Sequence, residues 1–233
     1  YAYQAPLAHN GYFDVWLNSA GPGPYSTPMI ADGVVFAVGV NGQFHALERS
    51  SGELLWSLDL VDTFDVDDYN AFASSPLAYG STVIVPLGGS SRGVVAFSQE
   101  TGATVWRSPE FPLGPGSPIL AAVDGDPQLV VLGQQELIGL SPDDGQIRWR
   151  HPHENELGLN ISMPVWGADN LLFVSSGYDT GSRMLRLTTR DGATVVEEAW
   201  SNNRLRLHFG NAIRVGDLVV GSSGDFGPAF LTA

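Results

Sequence analysis

Residues Pro28 to Trp56 read PMIADGVVFAVGVNGQFHALERSSGELLW, and the order of features in this stretch decides the fold. An apolar run rich in β-branched residues, Val34 to Val40, is followed by Asn41-Gly42 and by a second alternating run from Phe44 to Leu47. That is a hairpin. Ser50-Ser51-Gly52 then supplies a tight turn that needs a residue tolerant of positive φ, and a last strand carries Trp56 four residues after the glycine.

The same order returns along the chain. PLAYGSTVIVPLGGSSRGVVAFSQETGATVW runs from Pro76 to Trp106, PILAAVDGDPQLVVLGQQELIGLSPDDGQIRW from Pro118 to Trp149, and PVWGADNLLFVSSGYDTGSRMLRLTTRDGATVVEEAW from Pro164 to Trp200. The turn glycines of these copies are Gly102, Gly145 and Gly192, and only the last stands further than four residues from its tryptophan. A fifth copy begins at Asn211 and reaches Ala233 within a strand. The closing tryptophans lie roughly 50, 43 and 51 residues apart, a spacing expected of propeller blades.

Four strands per copy with no helix between them give an antiparallel meander whose two faces must both be covered. Stacking successive sheets about an axis covers them, with the tryptophan of each copy wedged against its neighbour. The expected fold class is therefore all-β, a β-propeller of four-stranded blades. It forms an incomplete arc, with repeats over about 28–56, 76–106, 118–149, 164–200 and a truncated 211–233 within one partial domain spanning 1–233. Gly52, Trp56, Gly102, Trp106, Gly145, Trp149 and Trp200 are the expected blade-docking residues. An indole in this role buries about 150 to 250 Å², so Trp106→Ala is expected to cost about 3 to 5 kcal/mol. Tyr1 to Tyr25 reads as the tail of an earlier blade plus a connector, and the chain as an internal fragment of a molecule that closes with about seven or eight blades.

Composition narrows the chemistry. The sequence has 233 residues, no Cys and no Lys, so disulfides, thiolate nucleophiles, Cys-based zinc sites and lysine Schiff bases are all excluded. A formal net charge of -14 repels phosphate backbones and anionic headgroups, which argues against nucleic acid and membrane surfaces as partners. No apolar run approaches the length of a membrane-spanning helix, and the start at Tyr1 shows no positively charged signal sequence.

The Gly-x-x-x-Trp turn and the apolar-Gly/Ala-Leu strand before it resemble the pyrroloquinoline-quinone-like repeat family over nearly the whole chain. Phe72-Ala73-Ser74-Ser75-Pro76-Leu77 and Tyr25-Ser26-Thr27-Pro28 are similar to that family's inner-strand entries. Among its members the chain looks most like bacterial proteins with binding-like repeats, which implies an extracytoplasmic, periplasmic setting. Its enzymes hold the quinone beside calcium with a vicinal Cys pair, a stacking Trp and an Asp base, and this sequence lacks the Cys pair. The resemblance therefore implies a non-catalytic scaffold for a protein or small ligand, with no cofactor, metal or catalytic residue assigned. The alternatives are a quinone-dependent dehydrogenase and a carbohydrate-binding propeller.

Asp62, Asp65, Asp67 and Asp68 precede Tyr69 and offer oxygen ligands for calcium, but without the Gly and closing Glu of an EF-hand they read as a solvated inter-blade loop. His151 and His153 share a strand face and lie near Glu154 and Glu156, yet the place after Trp149 is a usual one for exposed polar residues. Gly89-Ser90-Ser91-Arg92-Gly93 matches a hydrolase elbow, but Val94 to Phe97 continues as a strand where the elbow needs a helix. Asn160-Ile161-Ser162 is a glycosylation sequon that matters only in a eukaryotic secretory setting. Connectors into the innermost strands open on one mouth of a propeller, and Tyr25, Phe72, Asn160, His208 and Asn211 on them are the candidate ligand surface.

Overall fold

The structure, a computed structural model, describes residues 25–66, 72–87, 93–225 and 229–233. Tyr1 to Pro24, Asp67, Asp68, Tyr69 and most of the Gly89 to Gly93 motif lie outside them. The chain divides into two compact units at the Phe111–Pro112 peptide.

The first unit holds two antiparallel meanders. One is formed by β1 (Met29–Ala31), β2 (Val34–Val38), β3 (Gln43–Glu48) and β4 (Leu54–Asp59), the other by β5 (Leu77–Tyr79), β6 (Thr82–Pro86), β7 (Val94–Ser98) and β8 (Thr104–Arg107). Between them the expected loop is in part a short helix, α1 (Leu60–Phe64). Asp59 caps it by accepting from the N–H groups of Val61 and Asp62 at 3.0 and 3.1 Å. Leu60 and Phe64 anchor the helix in the core, so Asp62 sits in a helical turn rather than a loop.

The second unit holds three sheets. β9 (Ile119–Val123), β10 (Asp126–Leu132), β11 (Glu136–Leu140) and β12 (Ile147–Pro152) form one, and β13 (Val165–Gly167), β14 (Leu171–Ser176), β15 (Gly181–Arg190) and β16 (Ala193–Asn202) the next. The last has three strands, β17 (Ile213–Val215), β18 (Leu218–Ser223) and β19 (Phe230–Thr232). All five sheets fall on the repeats read from the sequence.

The turn before each tryptophan is built alike in the first three copies. Gly52, Gly102 and Gly145 have φ of 71°, 71° and 73°, and each donates its N–H to the residue four before it at 2.8 to 2.9 Å. In the fourth copy Asp191 and Gly192, with φ of 52° and 78°, make a two-residue hairpin turn. Both flanking strands are correspondingly long, at 10 residues each.

A β-bulge recurs just before every closing tryptophan. The register of the third and fourth strands shifts at Ala46/Leu47, Ala96/Phe97, Gly139/Leu140 and Met184/Leu185. It leaves Trp56 opposite Ala46, Trp106 opposite Ala96, Trp149 opposite Gly139 and Trp200 opposite Met184. A small residue across the strand gives the indole room to lie down on its own sheet. Trp106 and Trp149 are buried, at 8% and 6% exposure, Trp56 opposite Ala46 is half-buried, and Trp200 opposite Met184 is 41% exposed. Trp200 touches Phe173 at a centroid distance of 6.2 Å, and Trp200→Ala is expected to cost less than about 1 kcal/mol in denaturant unfolding.

Contacts between sheets use the indoles in two ways. In the first unit Trp56 donates Nε1–H to the Gln99 carbonyl at 2.9 Å and covers Gly102, where a Cβ would meet the ring at 2.9 Å. The ring also packs against Phe36 and Phe44, and Phe44 in turn against Phe97, in the core. In the second unit Trp149 donates to Gln128 Oε1 at 2.7 Å, and the Gln128 amide donates in turn to Thr194 Oγ1 at 2.7 Å on the long hairpin. One glutamine thus relays the docking that a backbone carbonyl performs in the first unit.

Candidate functional site

An antiparallel meander brings the start of its first strand, the turn between its second and third strands and the end of its fourth strand to the same end of the sheet. Connectors and second turns therefore share one face, and the candidate surface lies there in each unit. A proline stands immediately before the first strand of four sheets, where its missing N–H costs no ladder bond. In the first and fourth copies the serine two residues before that proline fixes the entry: Ser26 Oγ donates to the Val38 carbonyl at 2.6 Å, and Ser162 Oγ to that of Ser175.

The structure separates the candidate residues by environment. In the first unit Tyr25 is half-buried, while Phe72 is 3% exposed, covers Gly42 and donates its N–H to Val40 O at 3.1 Å. In the second unit Asn160 is fully buried, His208 is buried and Asn211 is exposed, accepting from Met163 N–H at 2.8 Å through Oδ1. Phe72 and Asn160 therefore support the connectors from inside. The sequon asparagine offers no accessible nitrogen, because Asn160 Nδ2 donates to the carbonyls of Gly133, Gln134 and His153 at 2.9 to 3.2 Å.

Beneath this face runs a buried polar seam. His153 is fully buried with Nε2 3.0 Å from Ser176 Oγ, and burial, followed by the positive charges of Arg183 and His151, lowers its pKa to about 3. His151 is also shifted down, first by burial, and its Nδ1 faces the Pro152 carbonyl at 3.0 Å. The two imidazoles thus turn to different partners, and among the described residues no three His, Asp or Glu side chains converge on a metal site. Ser175 links the seam to the next connector, its hydroxyl donating to Leu205 O and accepting from Leu207 N–H.

His208 belongs to a cluster that reading along the sequence did not assemble. Its Nδ1 faces the Asp225 carbonyl at 3.2 Å, an acceptor that requires the proton on Nδ1, and its Nε2 is hydrogen-bonded to the Tyr178 hydroxyl. Burial, then the Asp225 carboxylate, raises the Tyr178 pKa. Arg206 pairs with Asp179 at 2.5 Å and with Asp225 at 3.5 Å. Phe209 packs on the His208 ring at 4.0 Å and remains 58% exposed. The local signal was the turn Gly177-Tyr178-Asp179-Thr180, in which Tyr178 and Asp179 both take positive φ. The set ties the connector after β16 to the β14–β15 and β18–β19 turns and presents an aromatic edge.

A family model described as outer membrane protein assembly factor BamB matches residues 13–228. The chain belongs to that family. No curated protein matches the sequence. Among solved structures, BamB from Moraxella catarrhalis is similar with a TM-score of 0.62 and 18% identity, over 90% of this chain and 64% of that one. Quinohemoprotein alcohol dehydrogenase from Comamonas testosteroni is similar with a TM-score of 0.56 and 14% identity, over 90% of this chain and 39% of that one. Less than two thirds of either protein is spanned, and at these identities the likeness shows the fold: five sheets of an incomplete β-propeller with repeats of the BamB type.

The fold also occurs in a quinone enzyme, so the fit of that cofactor to this chain can be tested on the residues present. The sequence has no cysteine pair. Trp56 and Trp149 pack on sheet residues from fourth strands, away from the connectors. On the connector face Asp179 and Asp225 are bound by Arg206 and by the N–H of Tyr178. These residues do not fit a quinone held beside calcium.

Proposed function

We propose that the chain is part of a non-catalytic BamB-type propeller that works outside the cytoplasm as a rigid platform for protein partners. The observation that carries this reading is the connector face of the second unit. There Leu157 and Phe209 stand 60% and 58% exposed over connectors held by hydrogen bonds among their own residues and the adjoining turns. Rigid connectors with exposed apolar tips supply contact area at little ordering cost. The net charge of -14 favours partners that are apolar or basic at the contact. The family description supports partners drawn from outer membrane protein assembly. Among the described residues no helix is long and apolar enough to cross a membrane.

A photoreactive side chain at position 209 or 157, in cells producing the protein, is the test. The expected result is a discrete protein adduct from both positions that is absent when the same group replaces Leu55 on β4. Equal labelling from Leu55, or no adduct from either connector, would contradict the proposal.

A further inference from the structure

We propose that His153 is a pH-sensitive latch on the connector 153–160: protonation of its buried imidazole releases that connector and with it the contact residue Leu157. The inference rests on the platform reading, because it concerns how one of the platform's contact tips is held.

The connector hangs on a few bonds around His153. The His153 N–H donates to Gln135 O at 2.9 Å, and its carbonyl accepts from Asn160 Nδ2. Asn155 Oδ1 accepts from the N–H groups of Leu157 and Leu159, while the Asn155 carbonyl accepts from Gln135 Nε2 at 2.8 Å. The His153 ring sits inside this frame with no exposed surface. An imidazolium donates from both nitrogens. Ser176 Oγ can receive one of these bonds, but among the described residues nothing accepts from Nδ1, which is buried.

The surrounding charges do not compensate. His151 from β12 and Arg183 from β15 oppose a further positive charge. Glu198 from β16 favours it, yet its carboxylate already receives Arg183 at 2.6 Å and Ser201 at 2.7 Å. On the connector Glu154 and Glu156 are exposed, β14 presents the Ser176 hydroxyl, and the turn after β10 presents Gln134 and Gln135. A charged His153 therefore reaches solvent only by opening the connector.

The direction with pH follows. A folded-state pKa of about 3, below the ordinary 6.5, means that the open form binds more protons between those values, so opening is favoured as pH falls below about 6.5. Hydrogen exchange of the whole chain, corrected for intrinsic rates, should show protection over 153–160 falling about thirtyfold between pH 7.5 and pH 5.0. Protection in β10 and β11 should hold, and His153→Gln should abolish the pH dependence. As a measurement independent of that variant's folding, the His153 imidazole in the unaltered protein should show no titration by NMR between pH 8 and 5.5. Titration near pH 6.5, or equal protection at both pH values, overturns the latch. No partner takes part, so failure here is separate from failure of crosslinking at neutral pH.

Discussion

Trp149→Ala is expected to lower the free energy of unfolding by about 3 to 5 kcal/mol. The indole is 6% exposed, lies over Gly139 and donates to Gln128, which is itself 1% exposed. Truncation removes a large buried apolar surface and leaves Gln128 Oε1 without its donor, so a cavity and an unmet polar group arise together. Denaturant unfolding monitored by circular dichroism reads the loss. Trp106→Ala belongs to the same class because Trp106 is 8% exposed opposite Ala96. A loss below about 1 kcal/mol in either variant would count against indole docking as the source of sheet stability.

Gly139→Val is expected to cost about 3 kcal/mol by the opposite route, overpacking. A Cβ at this position would overlap the Trp149 ring at Nε1 and Cε2. The indole must lift, and lifting breaks the 2.7 Å bond to Gln128 on which the contact with Thr194 depends. The alanines at 46 and 96 show that a Cβ is compatible with a different indole pose, but in this pose the Cβ alone already displaces the ring, and the valine branch adds to that penalty. Combined with Trp149→Ala, the cost of Gly139→Val should shrink to less than half, because the obstructed group is gone. Undiminished cost in the double variant would show that the glycine acts through the backbone instead.

Much of this architecture is local in origin and so is legible in the sequence. Turn glycines with positive φ, apolar alternation and a tryptophan at fixed spacing each act within a few residues, and the five sheets follow from them. The bulge before each tryptophan is a property of paired strands and has no single-strand signature. Trp200 shows a difference that lies on the partner strand: it stands 41% exposed opposite Met184, where the other copies have Ala46, Ala96 and Gly139. The helix α1 had a signal in Asp59, an N-cap residue ahead of Leu60, which the dominant strand pattern obscured.

The candidate surface was less accessible for a related reason. Connector positions followed from the repeat, but the side chains that complete them come from other turns. Tyr178 and Asp225 lie 30 and 17 residues from His208, and Ser176 lies 23 residues from His153. The burial of Asn160 follows from three carbonyls brought together by the β10–β11 turn and the connector itself. Neither arrangement is set by neighbours in the sequence.

The division between a protein-binding platform and a cofactor-bearing enzyme is tested most directly by titrating the purified chain with pyrroloquinoline quinone and calcium in a calorimeter, followed by assay for dye reduction. A platform gives no saturable heat at micromolar quinone and no alcohol-dependent reduction. Saturable binding accompanied by dye reduction would contradict the account.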